Sequence, residues 1–253
     1  MDKLRVVFAV LMILLITGCA LPRSPTATPS PTLTPTYPPT STATPMPVPT
    51  PTVTPTSLPA THLANGDKAL WNGEDALALQ EYQLAKDDKT NPEIAAAARV
   101  AIARIQYTRG EYAQALENLR SAIQDYSQTS SGKRAQFWLG KTFQALKRDP
   151  EAAQAYAAYL DALPGRLDSY VLELRADALV AAGEPSQAIE AYLAAIQSPH
   201  LGENAPLELK LGGVYASTGN YSAAIEHYNS AYTGSNDALI KAEADLRAGQ
   251  AFF

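Results

Sequence analysis

The stretch LGGVYASTGNYSAAIEHYNSAYTGS, residues 211–235, decides the fold. Gly219 is preceded seven residues earlier by Gly212, and it is followed by Ala224, Tyr228 and Ala231 at steps of five, four and three. Steps of four and three return to the same side of an α-helix, so Ala224, Tyr228 and Ala231 form a small–large–small stripe on one helix face. A helix before Gly219 and a helix after it, joined by a glycine turn, make an antiparallel hairpin.

The same arrangement recurs upstream. Turn residues fall at Gly73, Gly110, Lys147, Gly183 and Gly219, with spacings of 37, 37, 36 and 36. Five residues after each comes Ala78, Ala115, Ala152, Ala188 or Ala224, and four further on Tyr82, Leu119, Tyr156, Tyr192 or Tyr228. Three beyond that, Ala85, Ala122, Ala195 and Ala231 complete the stripe, with Tyr159 as the exception. Seven residues before each turn stand Gly66, Ala103, Gly140, Ala176 and Gly212, where a minimal side chain is expected to let two backbones approach. Breakers are expected between the hairpins at Asn91-Pro92, Ser130-Ser131-Gly132, Pro164-Gly165, Ser198-Pro199 and Gly234-Ser235. Pro150 and Pro185 fall near the first turn of a helix, where proline is tolerated. A repeat at this period predicts stacked helical hairpins, five of them plus a partial sixth. The pattern is expected to continue past Phe253, because Ala248-Gly249 and Phe252 stand where the fifth unit has Leu211-Gly212 and Tyr215.

With Leu211-Gly212, Tyr215, Gly219, Ala224, Tyr228 and Ala231 at its signature positions, the chain resembles the tetratricopeptide repeat over residues 63–253. That resemblance implies an all-α, right-handed superhelical solenoid whose first helices line a concave face. Such solenoids mostly bind proteins or peptides. The inner face of the second and third units would then carry Arg104, Tyr107, Arg134, Phe137, Lys141 and Gln144, a candidate binding groove for an anionic or peptidic partner. In the fourth unit the face becomes Tyr170, Glu173 and Asp177, so the groove is expected to turn from basic to acidic along its length. A solvated helix face is the other reading of the same residues.

Outward toward the N-terminus the composition changes abruptly. From Ala20 to Ala60 there are thirteen prolines, twelve threonines, one charge (Arg23) and no glycine. Proline restricts φ and removes a donor, so a disordered, extended linker is expected, with a reach on the order of 120 Å at about 3.1 Å per residue. Before it, Lys3 and Arg5 precede an apolar run, Val6 to Ile16. That run is too short for a bilayer, which needs roughly 20 residues at about 1.5 Å each. Ile16-Thr17-Gly18-Cys19 resembles the bacterial lipobox, which implies a signal peptide over 1–18 and lipidation of Cys19. The expected organisation is thus signal peptide 1–18, lipidated cysteine and linker 19–61, solenoid 62–253, held extracytoplasmically at a cell or outer membrane through its lipid.

Removing residues 1–18 takes away Lys3, Arg5 and Asp2 and leaves 18 basic against 24 acidic groups, a balance of −6. That argues against nucleic acid as a partner. Chemistry is sparse. His62, His200 and His227 have no second ligand at metal spacing, so they read as surface or satisfied residues, and no metal or cofactor is expected. No phosphate loop or nucleophile elbow occurs, and no catalytic residue is assigned. The tyrosine stripe reads as packing, because it recurs at the repeat period.

The order of lipobox, Thr/Pro spacer and hairpins, with the stretches at 157–192 and 234–252, also resembles envelope-anchored relatives of the soluble lytic transglycosylases. In those relatives an α-superhelix precedes a domain that cleaves peptidoglycan. Their Glu-Ser and Gly-Leu-Met-Gln motifs are absent from this sequence, so the chain itself is expected not to cut glycan. Two readings follow: the non-catalytic helical region of such an enzyme, partnered with a C-terminal catalytic domain and peptidoglycan, or a stand-alone protein-interaction scaffold of the envelope.

Overall fold

In the computed structural model, residues 58–252 other than 166 and 200 are described. Cys19, the signal segment, nearly all of the Pro/Thr tract, His200 and Phe253 lie outside the described residues. Within them the chain forms α1 (Pro59–Trp71), α2 (Asp75–Ala85), α3 (Pro92–Thr108), α4 (Tyr112–Asp125), α5 (Ser130–Ala145), α6 (Asp149–Ala162), α7 (Asp168–Ala181), α8 (Pro185–Gln197), α9 (Ala205–Ser217), α10 (Tyr221–Gly234) and α11 (Ala238–Phe252). Each odd-numbered helix packs on the even-numbered helix that follows it, and each even-numbered helix packs on the next odd-numbered one. The result is a one-dimensional stack of five hairpins with α11 as the first helix of a sixth.

The turn inside every hairpin is the same structure. Gly73, Gly110, Gly183 and Gly219 have φ of 78°, 77°, 78° and 79°, and Lys147 takes their place in the third hairpin with φ 58°. One left-handed residue after a helix lets the next N–H turn back to a carbonyl five residues earlier. Those bonds run from Glu74 to Ala69 (2.8 Å), Glu111 to Gln106 (2.8 Å), Arg148 to Phe143 (2.9 Å), Glu184 to Leu179 (2.9 Å) and Asn220 to Tyr215 (2.9 Å). The non-glycine turn at Lys147, read from spacing alone, is therefore a true member of the set.

The stripe is core. Ala78, Tyr82, Ala85, Leu119, Ala122, Tyr156, Ala188, Ala195, Ala224 and Ala231 are fully buried, and Tyr192 and Tyr228 nearly so. The small residues opposite do more than admit a backbone. A Cβ built on Gly66, Gly140 or Gly212 would fall 2.5, 2.5 and 2.7 Å from Cε1 of Tyr82, Tyr156 and Tyr228. Each glycine is the seat of a tyrosine ring from the paired helix, and at Gly212 the Ala224 carbonyl oxygen also lies 3.2 Å from that Cβ, so ring volume sets the residue at all three and close backbone approach adds to it at Gly212.

Two boundaries differ from the expectation. Helix α1 opens at Pro59, inside the stretch assigned to the linker, because proline at the first helical position fits φ and lacks only an N–H that has no helical acceptor. Ser130-Ser131-Gly132 is not a breaker but the first turn of α5, capped by Thr129, whose hydroxyl accepts from Gly132 N (2.9 Å). Ser131 is polar because it bonds Glu93, not because it is loop.

Candidate interaction groove

The odd-numbered helices α1, α3 and α5 line a cavity of about 400 Å³. Its apolar floor comes from Leu63, Ile94, Ala97, Val100 and Ala101, and its polar rim from Asp67, Glu93, Arg104, Ser131 and Arg134, with Trp138 at one end. Local sequence explains these positions. Residues 97, 101 and 104 step by four and three along α3, and 131, 134 and 138 step by three and four along α5, so each set faces one way.

Glu93 ties two of these helices together. Its carboxylate accepts from Ser131 N (3.1 Å) and Ser131 Oγ (2.7 Å), capping the start of α5 from α3. Arg134 donates to Ser131 Oγ (2.8 Å) and lies 3.6 Å from Glu93. Arg104 lies over the Trp138 ring, 5.1 Å from its centroid, and Tyr107 meets that ring edge-on at 5.8 Å. Asp67 accepts the Tyr82 hydroxyl at 2.7 Å. Burial, reinforced by that bond to Asp67, pushes the Tyr82 phenol well above its ordinary range.

The structure brings together four of the six residues picked from sequence. Arg104 and Tyr107 meet at Trp138, Arg134 lines the same cavity as Arg104, and Phe137 packs against Trp138 (5.6 Å), Tyr159 (5.7 Å) and Tyr170 (6.3 Å). Lys141 lies half-buried two turns past Arg134. Gln144 belongs to the core seam instead, since its side-chain oxygen takes the Tyr156 hydroxyl at 2.6 Å. The groove is also not simply basic, because Asp67 and Glu93 share its rim with the two arginines. Sequence reasoning missed Trp138 and Glu93. The step of four from Arg134 to Trp138 carried the first; the second shows only when Glu93 and Ser131, 38 residues apart, are brought together.

The expected acidic end is offset by a cation that was also missed. Lys210 on α9 bonds Glu173 (2.8 Å) and Asp177 (2.7 Å) on α7. Burial pulls the Lys210 ammonium down, but the hydrogen bonds and charges of Asp177 and Glu173 outweigh it and leave its pKa raised. His62 bonds Glu81 and His227 bonds Glu208, each at 2.7 Å, and His227 stacks on Tyr215 with ring centroids 5.2 Å apart. Both imidazoles are thus partnered. Among the described residues no group of three His, Cys, Asp or Glu side chains could hold a metal, and no helix is long and apolar enough to cross a membrane.

A stack of helical hairpins with left-handed turns, and a groove on its first helices, defines a helical-repeat scaffold. The chain belongs to the tetratricopeptide repeat family, whose profile matches residues 100–166 and 174–238, more than half of its length. These residues are helical-repeat scaffold. Among solved structures, MamA is similar with a TM-score of 0.58 and 18% identity, covering 70% of this chain and 91% of that one. MamA from Desulfovibrio magneticus RS-1 gives 0.55 and 17%, covering 68% and 92%. YrrB, described as a TPR protein with an unusual peptide-binding site, gives 0.58 and 16%, covering 73% and 90%. At these identities the likeness speaks for the fold. No curated protein sequence matches the chain.

Proposed function

We propose that this chain is a stand-alone interaction scaffold of the bacterial envelope, lipid-anchored through Cys19, that holds a peptide segment of a partner protein in the α1/α3/α5 groove. The observation that carries the reading is the groove itself: an apolar floor, a half-buried Trp138 and a rim of two arginines and two carboxylates, all on first helices. Mixed charge over an apolar floor suits an extended peptide, whose backbone and side chains offer both donors and acceptors. A purely anionic ligand would meet Asp67 and Glu93 as well as the arginines.

The scaffold is the better supported of the two readings, because the family and the structural neighbours named above are repeat proteins, one of them described with a peptide-binding site. The helical region of a transglycosylase-like protein rests on the order of lipobox, spacer and hairpins and on the resemblance of residues 157–192 and 234–252. The experiment is to select peptides from a random displayed library against the immobilised chain and to measure their affinity for wild type and for the Arg104→Glu/Arg134→Glu double variant. Weakening of about tenfold or more, with helicity unchanged, supports the groove. Equal affinity for both proteins removes it.

A further inference from the structure

The seam between the third and fourth hairpins breaks the repeat on both of its sides. Eight residues before the turn, the second, third and fifth hairpins bury an aliphatic side chain in the core: Ile102, Leu139 and Leu211. The fourth has Arg175 there. In the first the position is the exposed Asn65, and among the described residues no helix precedes α1 to pack on it. Across the seam, six residues after the turn, four hairpins carry Leu79, Leu116, Ile189 and Ile225, whereas the third carries Ala153. The next position holds a carboxylate in the second, fourth and fifth hairpins (Glu117, Glu190 and Glu226) and an amide in the first and third (Gln80 and Gln154). The hairpin that faces Arg175 therefore brings neither the bulk nor the negative charge that most of the others have.

These departures leave a cavity of about 230 Å³, walled by Ala153 and Ala157 of α6 and Leu179 of α7, with Arg175, Gln154 and Gln187 among its polar groups. The short side chain at 153 accounts for the space, and the arginine accounts for its charge. Arg175 is half-buried, and among the described residues its guanidinium has no hydrogen bond and no ion pair. Glu184, at the rim, accepts from Gln187 Nε2 instead (3.3 Å). Drawing a guanidinium into an apolar seam with no anion beside it costs solvation, a cost that an aliphatic residue at the same position avoids in the other hairpins. A carboxylate entering the cavity would offset that cost through two parallel N–H···O bonds, and the amides of Gln154 and Gln187 can add donors.

We propose that this cavity is a second binding site, for a carboxylate carried on a small apolar body, with Arg175 on the carboxylate and Ala153, Ala157 and Leu179 around the body. One guanidinium balances one negative charge, and its planar fork matches the two oxygens of a carboxylate. A free monocarboxylic acid and a glutamate side chain of a partner protein share this chemistry. The site has no lining residue in common with the α1/α3/α5 groove and is independent of that reading.

The Nε–Hε signal of Arg175 in a nitrogen–proton correlation spectrum of the full chain, assigned by its absence from Arg175→Leu, reports the site directly. Titration with benzoate, and separately with the peptide acetyl-Gly-Gly-Glu-Gly-Gly-amide, is expected to move that signal saturably, and the tighter of the two probes identifies the source of the carboxylate. Ala153→Leu restores the aliphatic side chain of the other hairpins and keeps Arg175. It is expected to weaken binding by about tenfold or more, with circular dichroism showing unchanged helicity. Absence of a saturable shift with both probes would overturn the proposal, as would a shift produced by inorganic phosphate and by neither carboxylate. So would equal affinity for wild type and Ala153→Leu, which would place the anion on the outer surface and not in the cavity.

Discussion

Glycine has two opposite meanings in this chain, and a methyl group tells them apart. At Gly140 an added Cβ would stand 2.5 Å from Tyr156, whereas at Gly249 it would stand in open space. Gly140→Ala is therefore expected to destabilise by about 1–3 kcal/mol through overpacking. Gly249→Ala is expected to stabilise by about 0.5–1 kcal/mol, because alanine costs less than glycine to order in a helix. Urea unfolding of the two variants beside wild type measures both signs. Spacing made these glycines visible in the sequence, but not their purpose, because a period reports that a small residue is needed and not what fills the space. The tyrosines that fill it carry a pH dependence. Tyr82, Tyr156 and Tyr192 are all pushed above the ordinary phenol range, by burial first; Asp67 and Asp177 accept from Tyr82 and Tyr192, and neighbouring phenols and Asp177 act on Tyr156. The folded state holds these protons more tightly than the unfolded chain, so their contribution is whole below about pH 10 and lost as pH rises beyond it. Lys210, also raised, adds to the loss in the same direction. Stability is expected to fall steeply above about pH 10, with the buried phenols ionising only as the chain unfolds. A phenolate absorbance titration in which every tyrosine ionises before helicity is lost would contradict this.

At the scale of elements, hairpin order and turn position were legible because both follow from one period, and Lys147 shows that the period outranks residue type. What was not legible lies between repeats. Glu93 reaches Ser131 across 38 residues, and Lys210 reaches Glu173 and Asp177 across 37 and 33. Such bonds join equivalent helices of neighbouring hairpins, and nothing in the local pattern of either helix announces them. The same cause explains why the charges at each end of the expected gradient were read without the opposite charges beside them, Asp67 and Glu93 at one end and Lys210 at the other: each charged residue was read on its own helix, before its partner on the next was known. Lys210 locks the seam between α7 and α9, so Lys210→Met is expected to destabilise the chain, and Asp177→Asn in the same protein is expected to recover part of the loss. A thermal-melt cycle of the four proteins tests it; additive single effects would show that the pair is not coupled.

Across the whole molecule, a solenoid distributes stability over nearest-neighbour interfaces, and its function falls on the face that the repeats build together. The groove of α1, α3 and α5 belongs to no single hairpin, which is why two of its lining residues, Arg104 and Arg134, could be chosen from sequence while the carboxylates that share its rim could not. The proposed anchoring is tested apart from the groove. If Cys19 carries lipid, Cys19→Ala should move the protein from the detergent phase to the aqueous phase, and unchanged partition would remove the anchor from the account. The groove is open to a more direct measurement, because the chain has two tryptophans, and Trp71 is 91% exposed whereas Trp138 lines the cavity. A Trp71→Phe variant leaves Trp138 as the sole reporter. Titration with a library-selected peptide is predicted to shift Trp138 emission with the same dissociation constant as binding itself, and to lose that shift in the Arg104→Glu/Arg134→Glu form. Full-strength binding with an unchanged Trp138 signal would place the partner elsewhere on the solenoid and contradict the groove as its binding site.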